Sequence, residues 1–187
     1  MIYLLRHGLD DEKYIGGWSN VSLIKEGKEQ IVKSSKFIKN NLKINQIITS
    51  DIKRCVDSSD IVRNIIGEVP LIKSDLVREL NKGNYNGRLR ENLSFLEKEI
   101  IDNADINFKY PNGESMIEFY KRIKFLIETG YFDLIDNTLI VTHRGVINMF
   151  YYIFNDLKVD MEKGKFGVSH GSVHEVDLGL RKIKKIY

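Results

Sequence analysis

Four short runs, Ile2–Leu5, Ile44–Thr49, Val69–Ile72 and Thr138–Thr142, are rich in apolar and β-branched residues and are set apart by segments with helical spacing. That alternation constrains the chain more than any other feature. A short run of this composition suits a strand covered on both faces. On Lys25–Leu42, Ile31, Ile38 and Leu42 recur at helical spacing around the small Ser35. Asp51 is expected to cap a helix over Ile52–Ile66, which Gly67 ends. Ser115 and Glu118 form a capping box for a helix reaching about Ile127, and Gly145–Phe154 reads as a further apolar helix. Pro70 marks the third strand as an edge. Two strands, Val168–Leu178 and Leu180–Ile186, are expected to join at Gly179. Strands alternating with helices predict an α/β fold, a three-layer α/β/α sandwich with a mainly parallel sheet. From about Asn81 to Pro111 the pattern breaks. Gly83, Asn84, Asn86 and Gly87 precede one expected helix over Leu93–Ile101, so this stretch is read as a small cap inserted into a single domain spanning 1–187.

Composition narrows the partners. The 187 residues are 42% hydrophobic and 29% charged, as in a globular chain. A net charge of +3 gives no case for nucleic acid, and the basic stretch from Arg181 to Lys185 fits the solvated face of an edge strand. Cys55 is alone, so it has no intramolecular partner, in keeping with a reducing, cytoplasmic setting. Met1 leads straight into a strand without a signal-peptide pattern, and no membrane span is expected. Apolar pattern does not separate a subunit contact from core, so it sets no oligomeric state.

The polar residues fall at strand ends. Arg6, His7 and Gly8 end the first strand, Ser50 to Arg54 end the second and open its helix, and His143, Arg144 and Gly145 end the fourth. Ligands bind at the carboxyl ends of strands in open α/β sheets. Two arginines, two histidines and a helix N-terminus on one edge describe a pocket for a dianionic phosphoryl group. One neutral histidine can attack phosphorus and the other can stabilise the equatorial oxygens. Glu79, just beyond the third strand, is the best-placed acid for the leaving oxygen, and a bound dianion beside it favours its protonated form. A salt bridge from Glu79 to Arg78 or Lys82 is the competing reading. His170 and His174 are four apart on an expected strand, a span of about 13 Å. One zinc cannot take both, and no paired-Cys or HExxH spacing occurs, so no metal is expected.

The segments LLRHG, GGWSNVSLIKEG, ITSDIKRCVDSSDIV, VRELNKGNYNG, YPNGES and LIVTHRGVI, in this order, resemble the phosphoglycerate-mutase-like branch of the histidine phosphatase superfamily from Met1 to about Asn148. The resemblance implies a phosphohistidine intermediate on His7, with Arg6, Arg54 and His143 around the phosphoryl group. It implies Glu79 as proton donor and then base for water, no metal and no cofactor. It also implies that a backbone carbonyl near Gly8 fixes the tautomer of His7. The family usually has Glu or Gln and then Thr after its RHG, with an Asn three residues later. Here the run is Leu9, Asp10, Asp11, Glu12 and Lys13, so substrate contacts from this loop differ. Arg144 replaces a common Gly, and it either adds positive charge to the pocket or packs on the sheet edge. Gly8, Arg144 and Ser172 complete the candidate substrate contacts, while Trp18 and Tyr85 suit packing better than the pocket rim. The expected activity is a metal-independent phosphatase acting on a small phosphomonoester. The alternatives are a phosphoglycerate-type mutase, whose cap would carry more basic residues than this one, and a non-catalytic phosphate-binding module.

Overall fold

The computed structural model describes residues 1–130, 136–160 and 164–187. Its strands are β1 (Ile2–Arg6), β2 (Gln46–Ser50), β3 (Leu71–Ser74), β4 (Thr138–Thr142), β5 (Val173–Asp177) and β6 (Lys182–Lys185). Its helices are α1 (Lys25–Asn41), α2 (Lys53–Ile66), α3 (Phe95–Asn103), α4 (Met116–Thr129) and α5 (Arg144–Phe154). The sheet order is β3-β2-β4-β1-β5-β6, with the first four strands parallel and β5 and β6 antiparallel.

The apolar strand runs follow from burial on both faces. Tyr3, Leu5, Ile47, Leu139 and Val141 pack against Ile31 and Ile38 of α1 and Cys55 and Val62 of α2. Ile2, Leu4, Ile48 and Ile140 face the other way, onto Phe119 and Ile123 of α4 and Val146 and Ile147 of α5. The three layers are therefore as expected. Neighbouring strands β1 and β4 send their helices to opposite faces, which opens a crevice at their carboxyl ends. No helix among the described residues is long and apolar enough to cross a membrane.

Four local expectations need correction. Asp51 does not cap α2. Its carboxylate pairs with Arg78, and the N-cap position is Ile52 without a side-chain cap. The third strand begins at Leu71, because Pro70 has no N–H and contributes only its carbonyl, to Ile47 N at 2.8 Å. In the inserted stretch α3 starts at Phe95, two residues late, behind a Ser94–Glu97 capping box. The strand expected from Val168 starts only at Val173. Gly167 and Gly171 take left-handed φ values of 62° and 72°, and Ser172 N bonds back to Ser169 O at 3.0 Å, so 167–172 is a turn.

Candidate active site

The site begins where β1 meets α1. A Cβ on Gly8 would run into the Gly27 carbonyl, and one on Gly27 into the backbone of Leu9, so two glycines let the loop after β1 lie against the first turn of α1. In that position the Gly8 carbonyl lies 2.7 Å from His7 Nδ1. A carbonyl can only accept, so Nδ1 carries the proton and Nε2 presents a lone pair. Arg54 Nε donates to that Nε2 at 3.1 Å. The His143 ring lies 5.1 Å from that of His7, fully buried, with its Nε2 2.9 Å from Ser50 Oγ and 3.4 Å from Cys55 Sγ. Burial first, and then the Arg54 guanidinium, hold both imidazoles well below the ordinary histidine range, so both are neutral.

Arg54 stands in the first turn of α2 and is held on all sides. It donates to Ser19 Oγ at 3.1 Å and to Gly17 O at 2.7 Å, and its Nε lies 3.6 Å from Asp10 Oδ2. Arg6 donates through Nη1 to Val168 O at 2.8 Å and through Nη2 to His170 Nε2 at 2.6 Å. Burial, and then the charge of Arg144, bring Arg6 down to about 10.

Glu79 lines the same cavity as the two arginines. Its carboxylate accepts from Leu80 N and from Gly145 N at the start of α5, both at 3.0 Å. A Cβ at position 145 would strike that carboxylate, which explains the glycine after Arg144. The backbone of Glu79 is fixed as well, its carbonyl accepting from Trp18 Nε1 at 2.7 Å and from Arg122 Nη2 at 3.2 Å. Trp18 is thus a structural clamp, with the Arg78 guanidinium stacked 4.4 Å from its ring centre. Since Arg78 is taken by Asp51, it is not a salt-bridge partner of Glu79.

Arg6, His7, Arg54, Glu79 and Arg144 line one cavity of about 520 Å³, within the range of small-ligand pockets. His143 lies behind His7 and is not a lining residue. Arg144 is exposed and faces the cavity rather than packing on the sheet edge. Gly8 is not a lining residue, and its carbonyl is taken by His7 Nδ1 and its N–H by Ser58 Oγ at 3.3 Å, so it orients the nucleophile and is not placed as a substrate contact. Ser172 is buried away from the cavity with its hydroxyl 2.8 Å from His174 Nε2, which corrects its placement as a substrate contact. The inserted stretch provides walls with Lys82, Arg90, Asp102 and Tyr110, and it is tied to the loop after β1 by Arg90 N to Lys13 O and Gly87 N to Ile15 O, both 2.8 Å.

Two residues that sequence reasoning missed, Arg122 and His170, belong to this site, and so does Asp10, whose part in place of the family's Thr and Asn the sequence left open. Arg122 of α4 grips the Glu114 carboxylate and the carbonyls of Leu76, Arg78 and Glu79. Asp10 lies beside Arg54, and burial raises its carboxyl above the usual range. His170, read above as a strand residue, turns into the cavity with its ring 5.6 Å from that of His7. The glycines on either side of it were the available signal for a turn. His7, Asp10 and His170 bring donor atoms within 4.8 Å of one another, the one such group found among the described residues. Yet Arg54 meets His7 and Asp10, and Arg6 meets His170. A cation there would face two guanidiniums, whereas an anion would be drawn to them.

A family model described as the histidine phosphatase superfamily (branch 1) matches residues 2–184. The chain belongs to this superfamily. A curated relative, phosphoglycerate mutase-like protein 4 of Arabidopsis thaliana, is 24% identical over 159 residues, 80% of this chain and 69% of that one. Among solved structures, phosphoglycerate mutase from Thermus thermophilus superposes with a TM-score of 0.68 at 25% identity, covering 100% of this chain and 98% of that one. A mycobacterial glucosyl-3-phosphoglycerate phosphatase gives 0.69 at 18% identity, covering 99% and 96%. Proteins of this fold thus carry the names of both phosphatases and mutases.

Proposed function

We propose that this chain is a metal-independent, cytoplasmic phosphatase that hydrolyses a small phosphomonoester through a phosphohistidine on His7. The observation that carries this reading is the state of His7. Its Nδ1 is committed to the Gly8 carbonyl, and its Nε2 is an unprotonated nitrogen that accepts from Arg54 Nε, on a ring lining the cavity that Arg6 and Glu79 also line; Arg54 turning its Nε–H to a substrate oxygen frees that lone pair. Substrate oxygens displace water at the guanidiniums, with Arg144 adding positive charge at the rim. His7 Nε2 then forms a bond to phosphorus while the bond from phosphorus to the leaving oxygen breaks, and Glu79 gives that oxygen its proton. His143, buried 5.1 Å from His7 between ring centres, backs the nucleophile's ring rather than meeting the phosphoryl oxygens as expected of it. In the second half, Glu79 takes a proton from water, whose oxygen bonds to phosphorus as the bond to Nε2 breaks.

A mutase is the second reading, favoured by Lys82, Arg90 and Arg144 on the cavity walls, which can receive a second anionic group. Asp102 lies 3.9 Å from Arg90, and Glu12 and Asp160 share those walls, so the lining is mixed rather than basic. That mixture supports hydrolysis. The test is release of aryl alcohol from an aryl phosphate, with chelator present, by the parent protein and by His7→Ala. Activity in the parent and loss of at least a thousandfold in the variant is the expected result. Equal and negligible release from both would overturn the proposal in favour of a selective mutase or a phosphate-binding module.

A further inference from the structure

We infer that His170 is a positioning residue for Arg6, a neutral acceptor that aims the guanidinium at the phosphoryl group without taking up its charge. The inference rests on the cavity being a phosphoryl site and adds a residue to it.

The turn 167–172 is joined to Arg6 at both backbone and side chain. Arg6 N donates to Ser172 O and Gly171 N to Arg6 O, each at 3.1 Å. Ser34 Oγ on α1 donates to Gly171 O at 2.6 Å, anchoring the turn from below. From this fixed turn, Val168 O takes Nη1 and His170 Nε2 takes Nη2. Two of the three guanidinium nitrogens are thereby held, and a planar group held at two corners has little freedom left. The third, Arg6 Nε, is buried and has no hydrogen-bond partner among the described residues. A buried donor left unmet costs about 1–3 kcal/mol. The hydrogens that remain for a phosphoryl oxygen are the second ones on Nη1 and Nη2, on a side chain that lines the cavity.

The chemistry of the acceptor follows from the same geometry. Arg6 always donates, so His170 Nε2 must carry a lone pair and its proton must sit on Nδ1. Burial, and then Arg6 itself, bring the ring down to about 3, so it is neutral at neutral pH. A carboxylate in this place would hold Arg6 equally well, but it would also set a negative charge against the incoming dianion. Asp10 already does so beside Arg54. An imidazole holds the arginine and leaves its charge for the ligand.

The test uses the whole chain and inorganic phosphate as the probe, with affinity read by calorimetry for the parent, His170→Ala, His170→Gln and His170→Glu. The Gln carbonyl reaches the place of Nε2 and is neutral. The expected order is parent and Gln within about threefold, Ala weaker by about tenfold, and Glu weaker than Ala, with KM for an aryl phosphate following the same order. Ala binding phosphate as the parent does, or Gln failing to improve on Ala while melting at the parent's temperature, overturns the inference. Phosphate affinity is read without turnover. A parent that binds phosphate, shows this order and never hydrolyses an ester therefore defeats only the phosphatase reading.

Discussion

Asp10 is the residue at which this site departs most in charge from a plain anion pocket. Its carboxylate lies 3.6 Å from Arg54 Nε and lines the same cavity. Burial raises its proton affinity more than Arg54 lowers it, so the ionised form is held at a cost. Because the folded value is raised, that cost is absent below the ordinary aspartate range and complete above the folded value. Asp10→Asn should therefore raise thermal stability at neutral pH but not in strong acid. It should also tighten inorganic phosphate by on the order of tenfold at pH 7, with the advantage shrinking as pH falls and Asp10 takes up a proton. A pH series of melting temperature and phosphate affinity for the two proteins checks both.

At the level of elements, the placement of Glu79 depends on a helix that carries no chemistry of its own. Arg122 of α4 joins Glu114 to the carbonyls of Leu76, Arg78 and Glu79. Arg122→Leu leaves Glu114, which is mostly buried, without its cation. The expected loss is about 3 kcal/mol of stability by urea titration. Turnover should fall more than KM rises, because the acid moves while the phosphate contacts remain. The alternation of apolar strands and capped helices was legible in the sequence, and so were the strand ends carrying Arg6, His7, Arg54 and His143, because periodicity and turn chemistry are local. Arg122 was not, since the carbonyls it holds lie on a loop more than forty positions earlier. His170 was hidden by a different cause. The alternation around Val173 extends backwards by eye, and only the left-handed glycines at 167 and 171 end it.

Across the whole molecule the four histidines share one property. His7, His143, His170 and His174 are all held below the ordinary histidine range, chiefly by burial, the last two at about 3 and about 4. The unfolded chain takes protons on them near pH 6.5, and the folded chain does not. Stability from this source is therefore complete above that pH and is lost as pH falls toward the folded values. For the nearly inaccessible His7 and His143 the slope approaches about 1.4 kcal/mol per pH unit each, and for the partly exposed His170 it is smaller. The urea midpoint should drop steadily between pH 6.5 and 5, and a protein with His174→Gln should show a shallower drop.

The strand order has a consequence in time. β1 and β2 are made early and do not pair with each other; β4, made some ninety residues after β2, lies between them. The acceptors that hold Arg6 are later still, 162 and 164 residues downstream of it. During synthesis, then, the nucleophile and its arginine leave the ribosome before the strands that flank β1. A partly made chain carries His7 but not the turn that fixes Arg6, so the means of gripping phosphate is assembled only when β5 has docked beside β1.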